Sequence, residues 1–502
     1  MNKKSRLKGR DFFIATFAIM SLQKEQYEVV VGLEVHAQLL TKSKLFSNDS
    51  AAYGGEPNTH ISTITMGLPG TLPRLNKKAI EFAIRMGIAC NSEIERKNYF
   101  ARKHYFYPDL PKGYQITQHE TPICIGGHVT IRTAEGEKKI RLHHIHLEED
   151  AGKSLHEIDN DYTCIDLNRA GVPLIEIVSE PEIRSAEEAY AYVTELRKLV
   201  RYLGICDGNM EEGSMRCDAN ISVRRKGETK LGTKVEVKNL NSIRNIRRAI
   251  ELEAERLIGI LEKGGRVQQE TRSFDADKGT TFALRAKEEA NDYRYFTDPD
   301  IPCFLVSDQM IEEVRASIPE LPEQIVKRYM GSYQLPEYDS RQLAEDKSMA
   351  SFYEQIIEHT PNYKAAANWL LGPVRSYLNE SGTEIEDFAV DPKAIATIIT
   401  LVDQGRMSFS VASGKLLPEL IRNPVDDVEE LAGSLNLWQT SDTDEVLQWV
   451  NEALSNLPDK VIEYRKGKKG LLGLFVGEVK KISKGKADPK IVNDLLIEKL
   501  SK

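Results

Sequence analysis

The sequence predicts an α+β protein with a sheet-rich first part and a helical second part. Strand-like segments with alternating polar and β-forming residues recur from Tyr27 to about residue 305, and amphipathic helices lie between them. From about Ile318 these patterns stop and helical patterns prevail to the end. At 502 residues the chain is too long for one hydrophobic core, so two or three domains are expected.

The composition is that of an ordinary globular protein. Apolar residues make up 41% and charged residues 29%, and a net charge of −8 argues against a protein that coats nucleic acid over its whole surface. The six cysteines are scattered without a Cys-x-x-Cys pair, so we expect reduced thiols, a cytoplasmic location and no structural zinc. No stretch reaches the roughly 20 apolar residues of a membrane-spanning helix, so no membrane partner is expected.

Residues 1–26 differ from the rest of the chain. Lysines and arginines precede an apolar run from Phe12 to Met20, which imitates a signal peptide, but no clear cleavage site follows. We expect a disordered extension, or a chain whose real start is Met20. Secretion is the alternative.

The first strand-like segment, residues 27–39, places polar side chains on one face. Because side chains alternate across a strand, Glu34 and His36 share a face and the intervening valines and leucine take the other. This pattern suits metal ligation or a buried ion pair. A half-exposed polar face explains it equally well.

Residues 76–91 then predict a helix capped by Asn76. The aromatics, prolines and cations of residues 102–115 predict a rigid loop instead of a regular element. Lys103 or Lys112 of this loop can meet a phosphate, and its rings can stack on a base or a ribose. Plain packing of the rings against a sheet is the simpler alternative.

An acidic cluster follows at residues 146–153, His-Leu-Glu-Glu-Asp-Ala-Gly-Lys. On a strand His146 and Glu148 share one face, whereas Glu149 points to the other. Adjacent like charges repel one another and are costly to bury without a cation, so a magnesium ion with a phosphate on it suits this segment. A solvated acidic turn is the alternative.

Three later segments repeat the alternation of polar side chains. Glu176 lies in a strand-like run, and two further segments carry polar residues at a spacing of two: Arg216, Asp218 and Asn220, then Lys234, Glu236 and Lys238. In a sheet with one face packed against helices, four such segments form a large polar basin. This coincidence is the strongest functional argument that the residues make by themselves.

The chain then changes character twice. Residues 239–264 predict a long amphipathic helix, residues 319–323 a linker, and a softer boundary lies near Pro424. Residues 465–502 carry 11 Lys/Arg against 4 Asp/Glu, a charge of +7, so the remainder carries −15. A basic tail on an acidic body suits phosphate contacts with a nucleic acid, and a solvated lysine-rich helical surface is the alternative.

At these residues the sequence resembles the B-subunit family of the bacterial and organellar aspartyl/glutamyl-tRNA amidotransferases. The resemblance runs from Tyr27 to near the C-terminus and leaves out only residues 1–26. It rests on six motifs, at residues 31–36, 105–115, 146–153, 166–176, 210–220 and 470–477.

The resemblance implies three domains and two partner proteins. The domains are a cradle-shaped catalytic domain related to glutamine synthetase, with a mostly antiparallel sheet, over residues 27–318, a helical domain over residues 319–424, and a small helical tail domain over residues 425–502. The helical parts hold the misacylated tRNA(Gln) or tRNA(Asn). The partners are the amidase, or A subunit, which releases ammonia from glutamine, and a small C subunit. Both form a heterotrimer with this chain.

The implied reaction is that of an ATP-dependent carbon–nitrogen ligase with glutamine as amido donor. The side-chain carboxylate of Glu-tRNA(Gln) or Asp-tRNA(Asn) attacks the γ-phosphate of ATP, and ammonia displaces the phosphate from the acyl phosphate. Phosphoryl transfer needs mainly positioning and neutralised oxygens, which Mg²⁺ and a cation supply.

The resemblance and the residues together give the candidate site. The expected magnesium ligands are Glu34, His36, Glu149 and Glu176. The expected catalytic residues are Glu149, Lys103, Asp218 and Asn220, and the expected nucleotide-binding residues are Lys103, Lys153 and Arg216.

Two other functions remain open at this point. A non-catalytic tRNA-binding scaffold for the amidase has no reason to gather carboxylates around a histidine. A magnesium-dependent ligase of a small free carboxylic acid predicts ATP hydrolysis without tRNA.

Overall fold

The computed structural model describes residues 26–156, 158–159, 161–286, 293–440 and 443–501. The predictions for residues 1–25 lie outside the described residues. The chain divides into two compact units, residues 1–321 and 322–502, so the first unit ends close to the predicted boundary after residue 318. The predicted second boundary near residue 424 stays a prediction.

The first unit is built on seventeen described strands. They are β1 Tyr27–Gln38, β2 Glu93–Ile94, β3 Lys97–Asn98, β4 Ala101–His104, β5 Tyr114–Thr117, β6 Cys124–Ile125, β7 His128–Thr133, β8 Gly136–Glu149, β9 Lys153–Leu155, β10 Cys164–Asp166, β11 Pro173–Ser179, β12 Met215–Arg225, β13 Val235–Leu240, β14 Glu270–Asp275, β15 Thr280–Ala286, β16 Phe296–Thr297 and β17 Phe304–Leu305.

Thirteen of these strands form one sheet. Its main path runs β15-β14-β13-β12-β1-β11-β8-β5-β4-β16, and β2, β6 and β7 join at the side. Among the described pairings in this sheet only β13 with β14 is parallel. The predicted mostly antiparallel sheet is therefore confirmed.

In the described part of the first unit there are four helices: α1 Lys77–Ala89, α2 Ala186–Tyr202, α3 Ile243–Glu262 and α4 Asp308–Ala316. Polar caps fix where the first three begin, because the side chains of Asn76, Ser185 and Ser242 each accept a hydrogen bond from a first-turn amide. The predicted start of α3 at residue 239 was early, since β13 pairs with β12 up to Leu240 and Ser242 caps the helix.

Helices α1, α2 and α3 contact the sheet on its apolar face. Val31, Leu33 and Val35 of β1 lie on that face and are fully buried. Burying a side chain of this size stabilises the fold by about 1.5–3 kcal/mol. The polar residues that alternate with them are therefore held on the opposite face.

The second unit is helical, as predicted. Its α-helices are α5 Pro322–Ser332, α6 Glu337–Leu343, α7 Lys347–Ile357, α8 Tyr363–Trp369, α9 Arg375–Ser381, α10 Pro392–Asp403, α11 Phe409–Val411, α12 Leu417–Arg422, α13 Val428–Ser434, α14 Thr443–Asn456, α15 Pro458–Arg465, α16 Leu472–Ile482 and α17 Pro489–Ser501.

Short π and 3₁₀ turns connect some of these helices, at Leu370–Val374, Ile385–Asp387, Ala412–Leu416 and Lys469–Leu471. The last helices share an apolar cluster of their own, which includes Val450, Phe475 and Leu496. Within the described part of the chain, no helix combines the length and the apolar character needed to cross a bilayer.

Candidate functional site

The polar face of the sheet gathers side chains from distant parts of the sequence. His36 of β1 lies opposite Glu176 of β11, and Glu176 lies opposite His146 of β8. On the other side of β1, Glu34 lies opposite Asp218 of β12. Cross-strand neighbours on one face have Cβ atoms about 5 Å apart, so this register produces the polar basin that the alternation predicted.

The first group of ligand-type atoms in this basin consists of His36, Glu148 and Glu176, which we call the imidazole cluster. Its donor atoms all lie within 4.8 Å of one another. His36 Nε2 lies 3.2 Å from Glu176 Oε2 and 3.7 Å from Glu148 Oε1. His146 lies alongside, with its Nε2 3.5 Å from Glu148 Oε2.

The histidines and carboxylates at the imidazole cluster shift one another's pKa values. Burial by itself lowers the pKa of His36, but Glu176 and Glu148 outweigh it and raise that pKa to about 9. Burial likewise acts to raise the pKa of Glu176, but His146 and His36 outweigh it and hold that pKa below its usual value. The pKa of His146 is also raised, because Glu176 and Glu148 outweigh the effect of burial. Before an ion binds, protonated imidazole therefore balances the carboxylates.

The donors of the imidazole cluster fit a divalent cation. Two carboxylates and one imidazole nitrogen within a sphere of a few ångströms match the ligands of Mg²⁺ or Mn²⁺ with water completing the shell. The ring of His146, next to these ligands, is itself in contact with a further histidine, since His144 Nε2 lies 3.0 Å from His146 Nδ1. Hydrogen bonds of this kind orient the rings around a metal.

A second group consists of Glu34, Asp218 and Glu236, which we call the carboxylate cluster. Glu34 and His36 are two residues apart on β1, so the two clusters are separated by roughly 6.6 Å along the strand. Asn220 Nδ2 donates to Glu34 Oε1 (2.9 Å), and Lys238 Nζ donates to Asp218 Oδ2 (2.5 Å). Glu236 was not among the predicted site residues, although its spacing in the sequence pointed to this face.

Lys103 approaches the imidazole cluster from strand β4, which is separated from β8 by strand β5 in the sheet. The predicted loop at residues 102–115 begins and ends in strands, because β4 pairs with both β5 and β16. Burial acts to lower the pKa of Lys103, but Glu148, Tyr295 and Glu176 raise it above its usual value. The ammonium also lies 5.0 Å from the ring centre of Tyr293, a cation–π distance.

Glu149 points away from both clusters. Its Oε2 accepts from Lys112 Nζ (2.7 Å) and its Oε1 from the backbone amide of Ile116 (2.9 Å). This pair lines a cavity of about 240 Å³ together with Lys44 and Arg102. The role of Glu149 as a metal ligand stays a prediction, and Glu148 is the carboxylate that β8 places next to His36.

The two remaining nucleotide-binding candidates differ in position. Arg216 lies opposite His36 in the sheet, and its guanidinium donates to Asp150 Oδ1 at 2.9 Å. The Asp150 carboxylate raises the pKa of Arg216, and its hydrogen bond fixes the orientation of the guanidinium. Lys153 lies on β9 in a separate two-stranded sheet and is exposed, so the structure does not place it in either cluster.

Sequence reasoning missed Glu148 as a cluster member, although the signal was present. Residue parity on a strand places Glu148 on the same face as His146. Lys238 was likewise noted only for its spacing. What the sequence could not supply is the register that brings β1, β8, β11 and β12 side by side.

Known proteins match this chain over most of its length. A family profile described as "GatB/GatE catalytic domain" matches residues 29–312, and one described as "GatB domain" matches residues 351–500. The B subunit of the aspartyl/glutamyl-tRNA(Asn/Gln) amidotransferase of Chlorobium luteolum is 48% identical over 475 residues. The match covers 95% of this chain and 99% of the relative.

Two further relatives carry the same name. The protein of Alkalilimnicola ehrlichii is 49% identical over 477 residues, 95% of this chain and 99% of its own. That of Caldicellulosiruptor saccharolyticus is 47% identical over 480 residues, 95% of this chain and 100% of its own.

Proposed function

The chain belongs to the family of aspartyl/glutamyl-tRNA(Asn/Gln) amidotransferase B subunits, and from this premise we propose that it carries the ATP-dependent amidation step. The substrates are Glu-tRNA(Gln), Asp-tRNA(Asn) or both. ATP phosphorylates the side-chain carboxylate, and ammonia displaces the phosphate to give the amide. The reaction class is therefore a carbon–nitrogen ligase with glutamine as amido donor.

The chemistry requires activation because a carboxylate has no adequate leaving group for attack by ammonia. Phosphoryl transfer depends on positioning and on neutralising the charge of the phosphate oxygens. A bound Mg²⁺ supplies that neutralisation. His36, Glu148 and Glu176 are the residues that would hold it, because their donor atoms meet within 4.8 Å.

Two positively charged side chains, Lys103 and Arg216, would bind the phosphate oxygens of the nucleotide. Lys103 brings an ammonium close enough to Glu148 and Glu176 for them to raise its pKa. Arg216 is held at one end by Asp150, which leaves the rest of its planar guanidinium for phosphate oxygens. Asn220 donates to Glu34 and Asp218 accepts from Lys238, so Asn220 and Asp218 would order the neighbouring part of the basin.

The partners follow from the same proposal. The relatives are named as one subunit of an amidotransferase, so ammonia would come from a second subunit, the amidase or A subunit, with a small C subunit completing a heterotrimer. The lysine-rich tail would contact the phosphates of the tRNA. Because an acyl phosphate hydrolyses in water, the complex would deliver ammonia while excluding solvent. We propose a cytoplasmic location.

The convergence of His36, Glu148 and Glu176 on one face is the observation that carries this proposal. In the complex with its partners, Glu148→Gln should lower tRNA-dependent ATP hydrolysis and amidation by at least roughly 100-fold, because it removes a ligand and a charge next to the reacting phosphate. Binding of Glu-tRNA(Gln) should remain within about twofold, since Glu148 is 4% exposed and faces the basin.

The matched control is Glu228→Gln, at an exposed position in the same unit, which should leave both activities unchanged. Loss of tRNA binding by Glu148→Gln with unchanged turnover of bound tRNA would instead indicate a scaffold. ATP hydrolysis at the full rate without tRNA would indicate a ligase of a free carboxylic acid.

A further inference from the structure

Three histidines of β8 form a row of rings, which we call the histidine row, from the surface to the imidazole cluster. His143 Nδ1 lies 2.6 Å from His144 Nδ1, and His144 Nε2 lies 3.0 Å from His146 Nδ1. At the inner end, His146 Nε2 lies 3.5 Å from Glu148 Oε2 and 3.6 Å from Glu176 Oε2. Along the row, His143 is exposed, His144 is half-buried and His146 is buried. Both ring nitrogens of His146 therefore have partners.

A β-bulge in β8 makes the histidine row possible. Val178 of β11 lies opposite His144, but the next residue, Ser179, lies opposite Leu142, so β8 has one additional residue at His143. On a regular strand adjacent side chains point to opposite faces, which would keep the rings of His143 and His144 apart. Bulges re-aim side chains and are common next to active sites. Here the bulge accompanies a contact between the two rings, whose centres are 4.9 Å apart.

The carboxylates determine which nitrogen of His146 faces them. Ionised Glu148 and Glu176 can only accept hydrogen bonds, so they favour a hydrogen on Nε2 of His146. Nδ1 of the same ring then donates if the ring is charged and accepts if it is neutral. A neutral imidazole has one nitrogen of each kind, so His144 can match His146 in either state while His143 completes the exchange at the other nitrogen.

His144 is suited to this role because its own ring is neutral. Burial, together with the neighbouring His146 and His143, lowers the pKa of His144 to about 4. Among the residues that the structure describes, His144 is the one that contacts Nδ1 of His146. Because the outer torsion of a histidine is broad and roughly two-fold, a ring without that contact could turn by half and present a carbon atom to the carboxylates.

We infer that His144 is a positioning residue for the imidazole cluster, because it holds the ring of His146 so that Nε2 stays on Glu148 and Glu176. His146 in turn keeps the two carboxylates directed at the place where the divalent ion would bind. The inference rests on the proposed function, in which His36, Glu148 and Glu176 hold that ion. His144 itself would touch neither the ion nor the reacting atoms.

The first measurement follows the hydrogen bond itself, by nuclear magnetic resonance on the full chain labelled with ¹⁵N-histidine and without added ion. The N–H between His144 and His146 should give a downfield signal that is protected from exchange with water. His144→Phe keeps a ring of similar size without nitrogen atoms and should lose this signal. His144→Gln supplies both a donor and an acceptor and should keep a protected N–H signal of His146.

The second measurement is the Mn²⁺ affinity of the full chain by calorimetry. His144→Phe should weaken binding by roughly tenfold, as expected for a partner that orients the residues around a metal, and His144→Gln should stay within about threefold of wild type. In the complex with its partners, His144→Phe should lower kcat for amidation and leave KM for Glu-tRNA(Gln) unchanged. His128→Phe, opposite Arg141 on the neighbouring strand β7, is the matched control and should behave as wild type.

The outcomes separate this inference from the proposed function. Wild-type affinity of His144→Phe, or an equal loss in His144→Gln, would overturn the role of His144, since the second result would show that the ring acts only by packing. If His144→Phe fails to fold, as judged by circular dichroism, His144→Leu serves as the second removal of the hydrogen bond.

Failure of the proposed function would look different. Glu148→Gln would then bind Mn²⁺ as tightly as wild type, which removes the ion from the imidazole cluster. Loss of the protected N–H signal in His144→Phe, with its retention in His144→Gln, would still support His144 as the residue that holds His146.

Discussion

Glu148 and Glu149 are adjacent in the chain, but their side chains lie on opposite faces of strand β8. Glu148 lies 3.7 Å from His36 Nε2 in the imidazole cluster, whereas Glu149 lies 2.7 Å from Lys112 Nζ beside a separate cavity. The two carboxylates therefore have different counter-ions and different expected roles. Substitutions at the two positions should have different consequences for the same reason.

Lys112 and Glu149 form a buried ion pair, with side chains 14% and 3% exposed. Lys112→Met leaves the Glu149 carboxylate buried without its cation and should lower the free energy of unfolding by about 3 kcal/mol. Adding Glu149→Gln should restore most of that loss, because no unpaired charge remains. Urea unfolding of both variants measures this, and equal stability of wild type and Lys112→Met would contradict the pair's importance.

Lys44 should make stability depend on pH. It is 1% exposed, and burial lowers its pKa to about 8. The unfolded chain therefore binds more protons than the folded chain between pH 8 and 10.5, so stability should rise with pH in that window, by about 3 kcal/mol.

Lys44→Met is the comparison that isolates this effect, since it cannot titrate. The difference in unfolding free energy between the two proteins should change by about 3 kcal/mol from pH 7 to pH 10.5. A constant difference across this range would show that Lys44 titrates normally.

Ion binding at the imidazole cluster should release a proton. Because Glu176 and Glu148 raise the pKa of His36 to about 9, the imidazole is protonated at pH 7 and must lose its proton to bind an ion. The apparent affinity should rise by roughly tenfold per pH unit between pH 6.5 and 8.5. Calorimetry in buffers of different ionisation enthalpy measures the released proton, and heats that do not depend on the buffer would contradict this account.

Much of this site could be predicted from the alternation of side chains between the two faces of a strand. The alternation around Glu34 and His36, and the shared face of His146 and Glu148, follow from the geometry of a single strand. The partners of Lys103 and Glu149 could not be predicted, because β4 reaches this site only by pairing with β5, and β5 pairs with β8 over a separation of more than thirty residues, Thr117 with Glu148. The motif resemblance singled out Glu149, whereas strand geometry places Glu148 next to the histidine.

For the fold as well, the sequence predicted the general organisation but not every boundary of the helices and strands. The change from sheet to helix near residue 320 was visible because strand patterns end there. The start of α3 was placed too early, since only two residues lie between the end of strand β13 and the start of the helix, and Ser242 is the residue that marks the boundary. The short strand β4 was missed because its aromatic and proline-rich surroundings are typical of loops.

The tail makes a separate electrostatic prediction. Lys466 is exposed in the turn directly after α15, and Lys480 and Lys481 are exposed on α16. Changing all three to Gln should weaken tRNA binding and reduce the slope of log affinity against log salt by roughly 1 for each phosphate that is no longer neutralised. The matched control replaces the exposed Lys226, Lys230 and Lys234 of the first unit. An equal loss in both triple variants would show that the tail has no special role.

The most direct test of the central claim is the Mn²⁺ affinity of Glu148→Gln beside that of Glu149→Gln, measured by calorimetry on the full chain. Glu148→Gln removes a carboxylate of the imidazole cluster and should weaken binding by at least roughly tenfold. Glu149→Gln acts on the opposite face and should stay within about twofold of wild type. An unchanged affinity of Glu148→Gln, or a loss confined to Glu149→Gln, would contradict the assignment of the metal to His36, Glu148 and Glu176.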